Sequence, residues 1–221
     1  YSGFLIKRSQ VVTPDLLLSH RYVDQFFGEP TVKSSIIAKR AWYYPQSYQN
    51  QRAEADVKGP SGSTKIKAVI GLTPEEELLN TVHVEEGRWF TEFDYYSCII
   101  PKGIGETIGA TLGDTVYWGG IPLQILGMYD SNLLNSIVDI DGIQSAPIRP
   151  EDLSMITHSQ TARGELLLYL PTSWDNMIIV PYELAVDLGA YVPSVAVKFD
   201  NPGVIETIAK DLALNFKVQV Y

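Results

Sequence analysis

The 221-residue sequence has little cysteine and little histidine, and both shortages limit the chemistry that it can carry. Its single cysteine, Cys98, can form neither an internal disulfide nor the clustered thiolates of a structural zinc site. Because it lies in the strand-like run 97–100, we expect a small buried side chain and not a reactive thiol. The histidines are far apart and lack partners at metal-ligand spacing, so we expect solvated surface positions for His20, His83 and His158.

Positive charge and long apolar runs are also scarce. The 17 lysines and arginines are outnumbered by 26 acidic residues, which gives a formal net charge of −9. Since such a surface repels phosphate groups, binding to nucleic acid and flat attachment to anionic lipid are both disfavoured. No segment reaches the roughly 18 to 20 apolar residues that cross a membrane.

Patterns that would indicate catalysis or a cofactor are weak throughout. Ser61, in the polar run 59–63, comes closest to a serine elbow but lacks the strand-to-helix setting. The glycine run 103–109 lacks the Lys-Ser/Thr ending of a phosphate loop, so we interpret it as turn glycines. The acidic run 139–142 lacks the later ligands of a calcium loop, so we favour a solvated acidic surface there. Weak binding of a divalent ion is the alternative. The sequence therefore predicts a protein that is not an enzyme, with no catalytic, cofactor-binding or metal-ligating residue.

Aromatic residues are plentiful, with 13 tyrosines and 4 tryptophans. They cluster at residues 42–44, 89–90 and 95–96. Packing in a core or on a sheet explains most such clusters. The alternative is an exposed aromatic patch for a partner protein or a saccharide.

The order of strand-like and helix-like segments predicts an α+β fold. At each end of the chain a helix pattern lies between two strand patterns: strand 4–12, helix 13–27 and strand 32–44, then strand 194–199, helix 204–215 and strand 216–221. Between them the sequence predicts a β-rich middle, with turn signals at residues 59–62 and 119–120. The polar stretch 131–163 is interpreted as an insertion with little regular structure.

One stretch carries a more specific pattern. Residues 86–94 (EGRWFTEFD) resemble the Gly-Arg-aromatic-Phe signature, followed by Asp, of the periplasmic core domain in MacB/FtsX-type ABC transporter permeases. Residues 69–74 (VIGLTP), 125–129 (ILGMY) and 179–185 (IVPYELA) resemble further segments of that family, in the same order. The resemblance covers about residues 32–221. The departures are the polar segment 45–64 and the insertion 131–163.

The resemblance implies a two-lobed fold. A porter-like α/β subdomain would be formed by residues 1–78 and 190–221, with an inserted β-rich, Sabre-like subdomain at residues 79–189. It also implies an extracytoplasmic (periplasmic or extracellular) domain of a membrane permease, non-catalytic itself. Such a domain couples a cytoplasmic ABC ATPase, through the transmembrane part of the permease, to substrate export or to an outer partner protein by mechanotransmission. The family further implies a dimeric full-length permease.

Two further expectations concern the ends of the sequence and the competing class of function. The sequence opens at Tyr1 without methionine and closes inside an alternating run, so we expect the chain to continue on both sides, with membrane spans among the candidates. The competing hypothesis is a secreted or cell-surface ligand-binding domain, such as a saccharide binder that uses exposed aromatic rings. It predicts a concave pocket with convergent polar groups.

Overall fold

The computed structural model describes residues 3–8, 36–45, 55–76, 84–138, 144–147, 171–199, 201–216 and 218–220. Its strands are β1 Gly3–Arg8, β2 Ile36–Tyr43, β3 Ala55–Lys58, β4 Ser63–Ile66, β5 Ala68–Leu72, β6 Glu86–Gly87, β7 Ser97–Pro101, β8 Thr115–Trp118, β9 Ile121–Tyr129, β10 Met177–Pro181, β11 Tyr191–Lys198 and β12 Val218–Val220. Its helices are α1 Lys102–Ile108, α2 Ser131–Ser136, α3 Tyr182–Asp187 and α4 Ile205–Phe216, with 3₁₀ turns at Trp174–Asn176 and Pro202–Val204.

All of these strands belong to one mixed sheet. Its order is β12-β1-β11-β2-β5-β10-β7-β9-β8-β3-β4, and the two-residue β6 pairs with β9. At one end, β1 is antiparallel to both β11 and β12, and β2 is antiparallel to β11. This order of the four terminal strands is that of a split β-α-β, ferredoxin-like unit. The two β-α-β patterns predicted from the sequence thus interleave in one half-sheet; the helix predicted at residues 13–27 lies outside the described residues.

Strand β2 joins this half-sheet to the rest of the molecule. Its Arg40 pairs with Ser194 of β11 on one side and with Leu72 of β5 on the other. Beyond β5 the chain turns so that the Nε and Nη2 atoms of Arg40 donate to Oε1 of Glu76 at 2.9 and 2.6 Å. Both side chains are only 1% exposed. We call this buried ion pair between Arg40 and Glu76 the junction.

The middle of the sheet buries both of its faces. In β5, Val69 belongs to one hydrophobic cluster and Ile70 to a second one on the opposite face. Every residue of β5, β7 and β10 is buried, as expected for strands covered on both sides. Helix α3 lies directly on the first face, because a Cβ atom at Gly71 would come within 2.4 Å of the Ala185 Cβ. A glycine at that position lets the helix approach the strand closely.

Local predictions from the sequence are largely confirmed where the structure describes them. The turn signal at residues 59–62 joins β3 and β4, and the one at residues 119–120 joins β8 and β9. The expectation of little regular structure from residue 131 is wrong for its first six residues, which form α2. The Asp130 side chain caps this helix by accepting the Asn132 N–H at 2.9 Å. Residues 148–163 lie outside the described ranges.

A polar network fixes α2 to the 3₁₀ turn that precedes β10. The Asp175 carboxylate accepts hydrogen bonds from Ser131, from Ser173 at 2.7 Å and from the Asn135 amide at 3.3 Å. These bonds, that of Ser131 first, lower the pKa of Asp175. The side-chain amide oxygen Oδ1 of Asn135 in turn accepts the Trp174 N–H at 3.0 Å. The start of the insertion is thereby tied to the buried middle of the sheet.

The α+β class is confirmed by this mixed sheet and its few helices. The predicted division into residues 1–78 with 190–221, and residues 79–189, stays a prediction. Hydrogen-bonded strands run across it, since β5 lies in the first part and its parallel partner β10 in the second.

Candidate functional site

The stretch with the strongest sequence signal, residues 87–96, forms a loop at the edge of the second hydrophobic cluster, and we call it the signature loop. Its Trp89 and Phe90 are buried in that cluster, with ring centroids 5.3 Å apart. The Trp89 Nε1–H donates to the Thr73 carbonyl at 3.4 Å, close to the junction. The prediction that this aromatic pair packs in the core is confirmed.

An ion pair closes the signature loop. Both terminal nitrogens of Arg88 donate to Asp94, at 2.7 and 2.8 Å. Asp94 also accepts the N–H and hydroxyl of Thr91, at 2.8 and 2.6 Å. The Arg88 hydrogen bond, followed by those of Thr91, holds the pKa of Asp94 well below its usual range. The Asp of the sequence signature is therefore the residue that fixes the turn.

The glycine at the start of the loop is required by the backbone. Gly87 has φ of +88°, in the left-handed region. A Cβ atom there would lie 2.2 Å from the Leu126 carbonyl oxygen of β9. Gly87 faces Gly127 in the pairing of β6 with β9, and two small residues let the backbones approach closely. The loop is thus anchored to β9 at its first residue.

The tip of the loop, in contrast, presents aromatic rings to solvent. Phe93 is 86% exposed and Tyr96 is 61% exposed. Tyr95 packs edge-on against Tyr96, with centroids 4.8 Å apart, and its hydroxyl donates to Asp187 at the end of α3. That hydrogen bond, with burial and nearby carboxylates, raises the pKa of Tyr95 to about 12. The clusters at residues 89–90 and 95–96 therefore differ: both rings of the first are buried, whereas in the second Tyr95 is partly buried against the first hydrophobic cluster and Tyr96 is exposed.

The glycine run and the serine loop considered for catalysis come together as a packing contact. The Ser61 N–H donates to the Ile108 carbonyl at the end of α1, at 3.0 Å. A Cβ atom at Gly59 would lie 2.7 Å from the Ile108 side chain, and one at Gly109 only 1.9 Å from Ser61 Oγ. Gly109 ends the helix in the left-handed conformation. The turn interpretation of this run is confirmed at Gly109 but is wrong for Gly103 and Gly105, which lie within α1. The small residues Gly59 and Gly109 let the β3–β4 hairpin pack closely on α1.

The remaining candidates either are buried or lie outside the described ranges. Cys98 is fully buried, and burial raises the pKa of its thiol, which confirms the expected core position. The three histidines and residues 139–142 are not among the described residues. Within the described ranges, no group of three or more His, Cys, Asp or Glu side chains could hold a metal ion. In the same ranges, no helix is long and apolar enough to cross a membrane.

The junction was not found from the sequence. Arg40 and Glu76 are 36 residues apart, and neither forms part of a recognised motif. A buried arginine is unusual, yet nothing in its strand-like neighbourhood distinguishes it from the half-exposed Lys39 beside it. The sequence signal for the junction is the position of Arg40 within a predicted strand, where a cation can fall on the buried face.

No protein-family model matches the chain, and no curated protein matches it. Solved structures do match. The periplasmic region of MacB from Actinobacillus actinomycetemcomitans is 12% identical with a TM-score of 0.59, and the match covers 100% of this chain and 88% of that chain. The extracellular domain of the noncanonic ABC-type transporter YknZ from Gram-positive bacteria is 17% identical with a TM-score of 0.54, covering 99% of this chain and 98% of that chain.

The chain has the fold of these two outer domains. The resemblance noted at residues 86–94 is thereby confirmed at the level of the fold. Since both matched structures are outer regions of transporters, the fold is one that occurs outside the membrane.

Proposed function

We propose that this chain is the extracytoplasmic domain of an ABC transporter permease. The observation that carries the proposal is the likeness of fold, which spans the whole chain and at least 88% of each matched outer domain. In this proposal the domain is non-catalytic, and it transmits the cycle of a cytoplasmic ABC ATPase to substrate export or to an outer partner protein. The full-length permease would act as a dimer.

The position of the terminal strands supports this proposal. Strands β1 and β12 are antiparallel neighbours, with Ile6 paired to Val220 and Arg8 to Val218. Gly3 and Val220 therefore lie at the same end of the sheet, on strands that are about 4.8 Å apart. A domain held between two adjacent membrane spans needs this arrangement, because its chain must enter and leave on one side.

The continuity of the sheet supports a mechanical role. Backbone hydrogen bonds link β12 and β1, through β11, β2 and β5, to the strands beside the signature loop. At the middle of this path, the junction adds a buried ion pair to the strand pairing. A displacement applied at the terminal strands would therefore reach the signature loop through rigid elements and not through a flexible linker.

Labelling of the full-length gene product in intact cells tests the location. Because Cys98 is fully buried, the unaltered domain should react poorly with a membrane-impermeant maleimide. The variant Glu106→Cys places a thiol at an exposed position on α1 and should be labelled in intact cells. If the Glu106→Cys variant is labelled only after cell lysis, the proposed extracytoplasmic location is wrong. A product recovered in the culture medium would support the secreted ligand-binding alternative.

A second measurement tests the coupling. Because β1 and β12 are adjacent, a short Gly-Ser linker can replace residues 3–220 of the full-length permease without separating its flanks. We expect this variant to co-purify with its ABC ATPase but to hydrolyse ATP at a changed rate that no longer responds to an outer partner or substrate. An unchanged rate and response would show that the domain has no coupling role.

A further inference from the structure

The tip of the signature loop combines exposed aromatic rings with carboxylates. The rings are those of Phe93 and Tyr96, which are among the most exposed large apolar side chains of the described residues. Glu92 adjoins them in the loop and is exposed. Exposed Glu183 and Asp187 of α3 lie close enough for their charges to raise the pKa of Tyr95, which packs on Tyr96. We call these residues, 92, 93, 95, 96, 183 and 187, the aromatic-acidic tip.

The tip is held in place before any ligand arrives. The Arg88–Asp94 pair and the Thr91 hydrogen bonds to Asp94 fix the turn that carries Phe93. On its other side, the Tyr96 carbonyl accepts the Gln124 N–H of β9 at 3.0 Å. Large apolar rings kept in water on a fixed turn are typical of binding surfaces, since ordering costs little when a partner docks.

The charge at the tip is uncompensated. Within the described ranges, neither Glu92, Glu183 nor Asp187 forms an ion pair; Asp187 accepts only the Tyr95 hydroxyl. The one cation of the loop, Arg88, is neutralised by Asp94. The chain as a whole, including the tip, carries a formal net charge of −9. The field at the tip is therefore negative, and it attracts cations during diffusional encounter.

We propose that the aromatic-acidic tip docks a lysine- or arginine-bearing segment of a partner protein. A cation can lie over the exposed face of Phe93 or Tyr96, and the carboxylates of the tip favour its approach. Tyrosine and arginine are also enriched among the few residues that carry most of the binding energy at protein interfaces. The biological setting, an outer partner, rests on the proposed function; the binding itself can be measured on the 221-residue chain alone.

The test uses a fluorescein-labelled peptide of alternating glycine and arginine, followed by fluorescence anisotropy. We expect the peptide to bind, and a control peptide with glutamine in place of arginine to bind at least about tenfold more weakly. In 1 M salt, where the Debye length is about 3 Å, most of the arginine-specific affinity should disappear. Equal affinity for the two peptides would overturn the proposal. Binding of neutral saccharides in place of the peptide would do so as well.

Matched variants locate the binding. Phe93→Ala and Tyr96→Ala should each weaken peptide binding about two- to fivefold, the range expected for one exposed cation–π contact. Leu133→Ala changes an exposed apolar side chain on α2, away from the signature loop in sequence, and should leave the affinity unchanged. Glu92→Gln should weaken binding more than Glu106→Gln, which removes the same charge on α1. If the two charge variants weaken it equally, net charge and not the tip attracts the peptide, and the proposal fails. If the peptide test fails but Glu106→Cys is still labelled in intact cells, the proposed docking site is wrong and the proposed function is unaffected.

Discussion

Two arginine–carboxylate pairs occupy different environments in this molecule. At the junction, Arg40 and Glu76 are each 1% exposed. In the signature loop, Arg88 is 52% exposed and Asp94 15% exposed. The shortest N–O distances are almost the same, 2.6 and 2.7 Å. The surroundings of an ion pair set its contribution to stability: a buried charge depends on its partner, whereas an exposed charge can be solvated by water.

The largest effect is expected from breaking the junction. Glu76→Gln removes the carboxylate that accepts two hydrogen bonds from the buried Arg40 and should lower the free energy of unfolding by about 3–5 kcal/mol. The double variant Arg40→Met with Glu76→Leu should recover much of that loss, because both charges of the pair are removed together. Urea unfolding of both variants measures this difference. Equal loss in the single and double variants would show that packing, and not uncompensated charge, governs the junction.

An intermediate effect is expected at the base of the signature loop. Gly87→Ala combines a left-handed backbone with a Cβ atom 2.2 Å from the Leu126 carbonyl oxygen, and should cost about 2–4 kcal/mol. Gly113→Ala is the matched control, since Gly113 has φ of +85° but open space around its Cβ position. It should cost only about 1 kcal/mol. Thermal unfolding compares the two variants. Equal losses of stability would mean that the close approach of Gly87 to β9 contributes nothing beyond the left-handed backbone.

The smallest effect is expected from the exposed pair, and it should depend on pH. Asp94→Asn should cost about 1–2 kcal/mol at neutral pH, because Asp94 loses a charge-assisted network that is only partly shielded from water. The pKa of Asp94 is lowered in the folded state, so its contribution is present above the unfolded value of about 3.9 and is lost as pH falls below it. Stability measured from neutral pH down to about 2 should show the variant and the parent converging.

A second aspartate provides the control for this measurement. Asp114 accepts the N–H and hydroxyl of Thr111, at 2.8 and 3.0 Å, as Asp94 does those of Thr91, but among the described residues no arginine closes its turn. Asp114→Asn should therefore cost less than Asp94→Asn, by the share that Arg88 supplies. If 1 M salt does not reduce that difference, the Arg88 contribution is not electrostatic.

Short-range features of the fold could be predicted from the sequence. The β8–β9 hairpin follows from Gly119 and Gly120, and α4 from apolar residues three and four apart. The signature at residues 86–94 identified the loop that closes on Asp94. Helix α2 was missed, although Asp130 before it is a good N-cap residue, because the polar composition of its surroundings favoured a loop.

Long-range pairings could not be predicted. That β1 inserts between β11 and β12 depends on which strands bury the same face, and several registers satisfy one alternating pattern. The junction likewise joins residues 36 apart through a turn after β5. The exposure of Phe93 against the burial of Phe90 also depends on tertiary packing, since both are aromatic residues of one short run.

The neighbouring terminal strands have a consequence for protein engineering. A domain whose first and last strands pair with each other can be spliced into a surface loop of an unrelated host, because its two ends lie on neighbouring strands at the same end of the sheet. For the same reason, a few residues could join Val220 to Gly3 and new termini could be opened in the β8–β9 turn. If such a permuted chain folds, the sheet is specified by its strand contacts and not by the order in which its strands are connected.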